Sequence, residues 1–325
     1  MSHVHRQSTG RRPNLKGTAL LAICMGLTVT PGHAADRTDT TGPIGSTGST
    51  GSIGITRSID VSSPRLGLTT LDLTYEFYGG GLHVVTLDTQ AVITPSRYEI
   101  ASQIETTGIA DTLFKGRLHS SARGMLTATG PRLDSYSQDY NGRFGERSVY
   151  MSLTSGGLYD VETKPSAAED KRTNIPPGAL RGTVDPLTAS IYTALNQGDD
   201  PCRQSIPVFD GRRVFKLDFA YDSQEELTPQ APGVYAGNAT KCKVTYRSIA
   251  GHTRKWALAE AKDPTPPFTV WIAEFEGLVG DRTDKTEHFT LPVRLLVETR
   301  YISAVAHLTQ AVIDGQQLIR TAAAN

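Results

Sequence analysis

The residues with the clearest capacity for chemistry lie between Cys202 and Cys242, where the chain reads Asp210-Gly211-Arg212-Arg213. An arginine guanidinium presents a planar set of donors that matches a carboxylate or a phosphate, so Arg212 and Arg213 are candidates for an anion-binding fork. Asp-Gly between two apolar runs is also typical of a hairpin turn, because glycine accepts positive φ and aspartate bonds to its own backbone. The segment therefore predicts either ligand contacts or turn contacts for Asp210, Arg212 and Arg213.

A second candidate for ligand contact is Trp271, which precedes Glu274 and Glu276. An aromatic ring beside carboxylates is common in sugar-binding sites, and glycoside hydrolysis requires two carboxylates in one cleft. Alternation along a strand would place Glu274 and Glu276 on one face. The pair makes an envelope-polymer hydrolase one functional alternative.

Established catalytic motifs are absent from the sequence: it has no His-Glu-x-x-His, no Gly-x-Ser-x-Gly and no phosphate-binding loop. Asp281, Asp284, Glu287 and His288 are close together but lack the spacing and glycine of a calcium loop, so we predict a solvated acidic loop there. We accordingly predict no catalytic residue, no metal site and no cofactor.

Cys202 and Cys242 are the only cysteines outside a predicted export signal. Two cysteines in an oxidising compartment usually pair, and closing a loop of this length removes chain entropy equivalent to about 4 kcal/mol. A redox pair is the alternative, but the spacing is long and no Cys-x-x-Cys is present. Zinc would need more ligands than these two residues supply. We predict a structural disulfide.

The elements that must position these residues are predicted to be β-strands, because apolar and polar residues alternate along many segments. The pattern favours a mostly β fold: a strongly curved antiparallel sheet, either a half-barrel or a β-spiral, with one main helix packed on it. That helix is predicted at 186–197, where Asp185 is a good N-cap, Pro186 suits the first turn and Gly198 ends the apolar stripe.

The N-terminal segment predicts export. Residues 1–34 have a basic start, an apolar run and small residues before Ala35, which is the layout of a secretory signal peptide. The pair Arg11-Arg12 leaves twin-arginine export open as an alternative. Residues 35–65 are rich in Gly, Ser and Thr and predict a flexible linker, followed by a single β-rich domain at 66–316 and a C-terminal tail at 317–325.

Charge and hydropathy restrict the partners. The chain has 33 Lys+Arg and 33 Asp+Glu; the signal contains four of the basic residues and none of the acidic ones, which leaves 29 against 33 and a net charge of −4. An acidic surface argues against a nucleic-acid partner. The apolar run of the signal is shorter than the ~20 residues that span a bilayer, and no later segment qualifies, so no transmembrane segment is expected after cleavage.

Several short motifs, in order along the chain, resemble the domain of unknown function 3108 family of exported bacterial proteins. They are Val184-Asp185-Pro186-Leu187, Cys202, Val208-Phe209-Asp210-Gly211-Arg212-Arg213, Cys242-Lys243-Val244-Thr245-Tyr246, Val270-Trp271-Ile272-Ala273 and Leu291-Pro292-Val293-Arg294. The resemblance extends over roughly Leu71 to Thr309. It implies a periplasmic protein of a Gram-negative bacterium with a strongly curved sheet, and it implies no reaction and no catalytic residues.

These observations favour a periplasmic cell-envelope protein that binds an apolar or amphipathic ligand without catalysing a reaction. Concave, mostly apolar sites suit such ligands, and a lipid or another envelope component is the expected partner. A structural or interaction protein that binds through an exposed sheet edge is the first alternative. The envelope-polymer hydrolase described above is the second alternative.

Overall fold

The structure, a computed structural model, describes residues 68–143, 145–195, 200–229, 233–276, 288–298 and 303–319. The predicted signal peptide at 1–34 and the predicted linker at 35–65 lie outside these residues, as does most of the predicted acidic loop, at 277–287.

Fourteen β-strands form one sheet in the described part of the chain. Strands β1 to β7 lie side by side in chain order, and so do β8 to β13; the two runs meet where β1 pairs with β13, which also pairs with β14. The named strands pair antiparallel throughout. The mostly β, antiparallel prediction is therefore confirmed. The strands are β1 Thr69–Gly79, β2 Leu82–Ile93, β3 Arg97–Thr106, β4 Gly116–Thr127, β5 Gly130–Gly142, β6 Gly145–Leu153, β7 Tyr159–Lys164, β8 Ser205–Phe209, β9 Val214–Leu227, β10 Gly237–Ala250, β11 Phe268–Glu276, β12 His288–Glu298, β13 Ser303–Ile313 and β14 Gln316–Ile319.

Alternation explains why these segments form strands. In β1, Leu71, Leu73 and Phe77 are buried, whereas Asp72 and Glu76 between them keep part of their surface exposed. Successive side chains of a strand point to opposite faces, so this spacing gives the strand one apolar face for the core. The same arrangement holds for β3, where every second residue of the first half is buried.

Three α-helices accompany the sheet among the described residues: α1 at Gly108–Phe114, α2 at Pro186–Ala194 and α3 at Arg254–Lys262. Helix α2 is the main helix of the sequence analysis; it begins at the predicted residue and ends at Ala194, three residues before the predicted end. Helix α3 was not predicted. It has no buried residue, so it lacks the apolar stripe that identifies a helix in a sequence.

The position of α2 defines the centre of the molecule. It contacts β3, β4, β5, β8 and β12, which come from both halves of the strand order. Its Ile191 and Ala194 belong to the largest apolar cluster, together with residues of β1, β3, β5, β6 and β13. The helix therefore packs on the same apolar face that the alternating strands create.

The sheet continues past the predicted end of the domain at 316. Strand β14 pairs with the end of β13, and Ile319 is buried in the largest apolar cluster. Ordered structure thus includes Gln317 to Ile319, which the sequence analysis assigned to the tail, because the burial of one apolar side chain holds this segment on the sheet.

Candidate functional site

A cavity of about 280 Å³ lies between α2 and the sheet. Its wall is mostly apolar and is built by alternate residues of strands from both halves of the sheet, together with one face of α2. Representative wall residues are Leu73, Ala91, Val208, Phe219, Val270 and Leu295. A space of this kind is suited to an apolar group, since water would find few hydrogen-bond partners in it.

Helix α2 is held over the cavity by a buried polar network at its first turn. Asp185 accepts hydrogen bonds from the backbone N–H groups of Leu187 and Thr188, and also from the Thr188 hydroxyl. Tyr98 on β3 lies 2.6 Å from the Thr188 hydroxyl, which ties the helix to the sheet. Burial raises the pKa of Asp185 to about 6, although the hydrogen bonds it accepts favour the charged form.

Tyr75 on β1 adds a polar group to the cavity wall. Burial raises the pKa of its phenol well above the usual value, so the hydroxyl is neutral and available as a donor. Within the described residues the hydroxyl has no hydrogen-bond partner. A ligand with an acceptor in this part of the cavity would satisfy it.

The Asp210–Arg213 segment forms the tight turn between β8 and β9. The Asp210 carboxylate is 3% exposed and accepts hydrogen bonds from the backbone N–H groups of Arg212 and Arg213 at 2.9 and 2.6 Å, and from Arg213 Nε at 2.7 Å. Gly211 has a φ of 82°, and a Cβ there would collide with Val149 on β6. Of the two sets of contacts expected for this segment, with a ligand or within a turn, the structure contains those within the turn.

Arg212 joins this turn to the opposite end of the strand order. Its guanidinium donates hydrogen bonds to the carbonyl oxygens of Ser148 on β6 at 3.0 Å, Lys164 on β7 at 2.8 Å and Pro165 at 2.8 Å. It also donates to the Asp170 carboxylate at 3.2 Å. The donors proposed for an external anion are therefore used within the protein.

The predicted disulfide between Cys202 and Cys242 is present. It links the segment before β8 to β10, with the two Cα atoms 5.5 Å apart. Both cysteines are buried in an apolar cluster with Val244, Val270 and Ile272. Cys242 pairs in register with Val270, which belongs to the cavity wall, so the disulfide lies beside one side of the cavity.

Trp271 is buried on β11, next to the wall residue Val270, and belongs to the largest apolar cluster. Its indole N–H donates to Glu225 at 2.7 Å. Glu274 is exposed, and the side chain of Glu276 lies outside the described residues. The structure therefore does not place a pair of carboxylates beside Trp271.

The described residues contain neither a metal site nor a membrane-spanning helix. No group of three or more His, Cys, Asp or Glu side chains there is arranged to hold a metal ion. Among the same residues, none of the helices has the length and apolar character needed to cross a bilayer.

Sequence reasoning missed Tyr75 and also Arg294, whose guanidinium carbon lies 4.7 Å from the centroid of the Trp271 ring. Nothing in their local sequence distinguishes them from other residues of alternating strands. The pairing register of strands distant in sequence gives them their surroundings.

Comparison with known proteins gives a family and a fold resemblance to solved structures. The model of the family described as "Protein of unknown function (DUF3108)" matches residues 72–309. A search of curated proteins finds no match. The chain is similar to the crystal structure of a β-barrel-like protein of domain of unknown function DUF1849 from Brucella abortus, with 12% sequence identity and a TM-score of 0.38, covering 77% of this chain and 98% of that one.

The family match includes β2 to β12, α2, the disulfide and all of the cavity wall from β2 onward. Because it extends over most of the sequence, the chain belongs to the DUF3108 family of proteins of unknown function.

Proposed function

We propose that this protein is an exported periplasmic protein that binds an apolar or amphipathic ligand, such as a lipid or a lipoprotein acyl chain, and catalyses no reaction. The observation that carries the proposal is the apolar cavity of about 280 Å³ between α2 and the sheet. This volume is about twice that of the ~150 Å³ apolar cavity that takes up benzene in an engineered core.

We also propose that the sheet curls around α2 as a half-barrel. Helix α2 contacts β8, at one end of the strand order, and β5, near the other end. Tyr159 on β7 and Phe209 on β8 have ring centroids 5.7 Å apart. In a flat sheet of thirteen strands these two end strands would lie roughly 60 Å apart, so the contacts support a curled sheet.

The cavity favours an amphipathic ligand over a purely apolar one. Most of its wall is apolar, which suits a hydrocarbon chain. Polar groups on that wall include the Tyr75 hydroxyl and the Arg294 guanidinium, and a ligand ester, hydroxyl or carboxyl group would pair with them. A hydrocarbon with a single polar group matches both features.

The periplasmic location rests on two independent features. Residues 1–34 have the layout of a signal peptide. The Cys202–Cys242 disulfide requires an oxidising compartment for its formation, and the periplasm is such a compartment.

A pair of matched variants tests ligand binding. Ala91 on β2 belongs to the cavity wall, whereas Ala101 on the neighbouring strand β3 is exposed. Ala91→Phe fills the cavity with a ring, and Ala101→Phe adds the same ring on the surface. We expect saturable binding of the uncharged fluorescent probe N-phenylnaphthylamine to the wild type and to Ala101→Phe, and none to Ala91→Phe. The same saturable binding to both variants would contradict the proposal.

A further inference from the structure

Three side chains form a row across β11, β12 and β13, next to the cavity. Trp271 pairs in register with Arg294, and Arg294 pairs with His307. Arg294 itself belongs to the cavity wall, as do Val270, Leu295 and Ala306, the chain neighbours of the three residues. A group bound by this row would therefore lie beside the cavity.

Two buried nitrogen atoms in this row lack hydrogen-bond partners within the described residues. They are Nε of Arg294 and Nδ1 of His307. His307 is 6% exposed, so its ring has little access to water. A buried polar atom without a hydrogen-bond partner costs about 1–3 kcal/mol, and native proteins seldom contain two at neighbouring positions without a reason.

The charged neighbours of Arg294 are engaged with other donors. Glu225 accepts hydrogen bonds from the Trp271 indole at 2.7 Å and from Lys241 Nζ at 2.9 Å. On the other side of His307, Glu76 of β1 accepts from the Tyr78 hydroxyl at 2.5 Å. Neither carboxylate forms an ion pair with Arg294 among the described residues.

The Arg294 guanidinium contacts the Trp271 ring and donates no hydrogen bond to the residues that the structure describes. Its carbon lies 4.7 Å from the centroid of the Trp271 ring, a cation–π contact that restrains the position of the guanidinium. Arg294 is only partly buried, so the outer side of the fork is reachable from solvent. A pre-oriented guanidinium with free donors is the arrangement that binds carboxylate or phosphate oxygens in pairs.

We propose that Arg294 and His307, with Trp271 stacked on the guanidinium, form a binding site for an oxyanion, either a carboxylate or a phosphate group, beside the cavity. The guanidinium contributes two parallel N–H donors, and the imidazole contributes a third through Nδ1.

The ionisation of His307 gives the site a pH signature. Burial lowers the pKa of His307, the positive charge of Arg294 lowers it further, and Glu76 opposes both. The uncharged Tyr78 ring also faces it, with centroids 6.2 Å apart. A bound anion favours the imidazolium, so binding should strengthen as pH falls through the pKa of His307.

The test is an NMR titration of ¹⁵N-histidine-labelled protein with sulfate and, separately, with acetate, whose charges are constant near neutral pH. We expect saturable shifts of the His307 ring nitrogens at millimolar anion. Arg294→Gln should weaken binding at least about tenfold, and His307→Gln should weaken it several-fold and abolish its pH dependence. Arg247→Gln, which removes an exposed arginine from neighbouring β10, should leave affinity unchanged. Saturation with only one anion would support the site and identify its chemistry.

Two results would overturn the proposal. One is a His307 signal in the wild-type protein that responds to both anions no more than the signal of His119 on β4, the internal reference. This comparison needs no variant, so it holds even if a variant fails to fold. The other is wild-type affinity in a folded Arg294→Gln variant.

Discussion

Arg212→Leu is the substitution that most sharply tests how the two ends of the strand order are joined. It removes the hydrogen bonds to the carbonyl groups of Ser148, Lys164 and Pro165 and the ion pair with Asp170. Leucine keeps much of the apolar stem, so the change acts mainly on the polar contacts.

The expected loss follows from what remains unpaired. Three carbonyl oxygens lose a charged donor at about 1 kcal/mol or more each, whereas Asp170 keeps Arg147 and Arg172 at 3.0 and 2.9 Å. Together with the lost ion pair this amounts to about 4 kcal/mol of unfolding free energy. For a domain of this size, that corresponds to a fall in Tm of roughly 8–16 °C.

The assay is urea denaturation under oxidising conditions, with hydrogen exchange as a local probe. Arg212→Leu should lower the midpoint and speed exchange at β6, β7 and β8 before it does so at β1 and β2, because only the former strands meet through this side chain. Arg247→Leu, at a side chain that is 67% exposed, should stay within about 0.5 kcal/mol of the wild type. An Arg212→Leu protein as stable as that control would refute the reasoning.

Three further predictions concern the disulfide, the helix cap and the cavity. Cys202→Ser should lower the unfolding free energy by up to about 4 kcal/mol and reduce export yield; unchanged thermal melting under oxidising conditions would contradict the clamp. The pKa of Asp185 is raised from 3.8 to about 6, so the stability that its protonated form contributes is complete below pH 3.8 and is lost as pH rises through 6. Relative to Asp185→Asn, the wild type should lose up to about 3 kcal/mol of unfolding free energy between these pH values in denaturation experiments. Parallel stability curves for the two proteins would contradict this. Tyr75→Phe should weaken binding of a long-chain fatty alcohol about fivefold in a displacement titration while leaving N-phenylnaphthylamine binding nearly intact, since the alcohol oxygen accepts a hydrogen bond from the hydroxyl and the conjugated amine nitrogen of the probe is a poor acceptor.

The parts of the fold that depend on local pattern were predictable. Alternation identified the strands, the Asp185-Pro186 pair identified the first turn of α2, and the cysteine count identified the disulfide. Each of these signals lies within a few residues of the feature it predicts, or depends on a count that leaves one pairing.

The candidate sites were less predictable because they depend on pairing between distant segments. Arg212 donates to the carbonyl groups of Ser148 and Lys164, which lie 64 and 48 residues away in sequence. No pattern in the sequence around Arg212 predicts these contacts. Arg294 and His307 become neighbours through the register of β12 and β13, where the chain itself shows only two polar residues in alternating strands. The cavity likewise requires the wall residues of strands from both halves of the sheet to be placed around α2.

The most direct test of the central claim is mass spectrometry of an organic extract of the wild-type protein, purified from the periplasm of its native host without detergent. The account predicts an amphipathic molecule with a hydrocarbon chain in near-stoichiometric amount, and its absence from Ala91→Phe protein prepared in the same way. Wild-type protein that yields no such molecule, and that also fails to take up added fatty acid, would contradict the account.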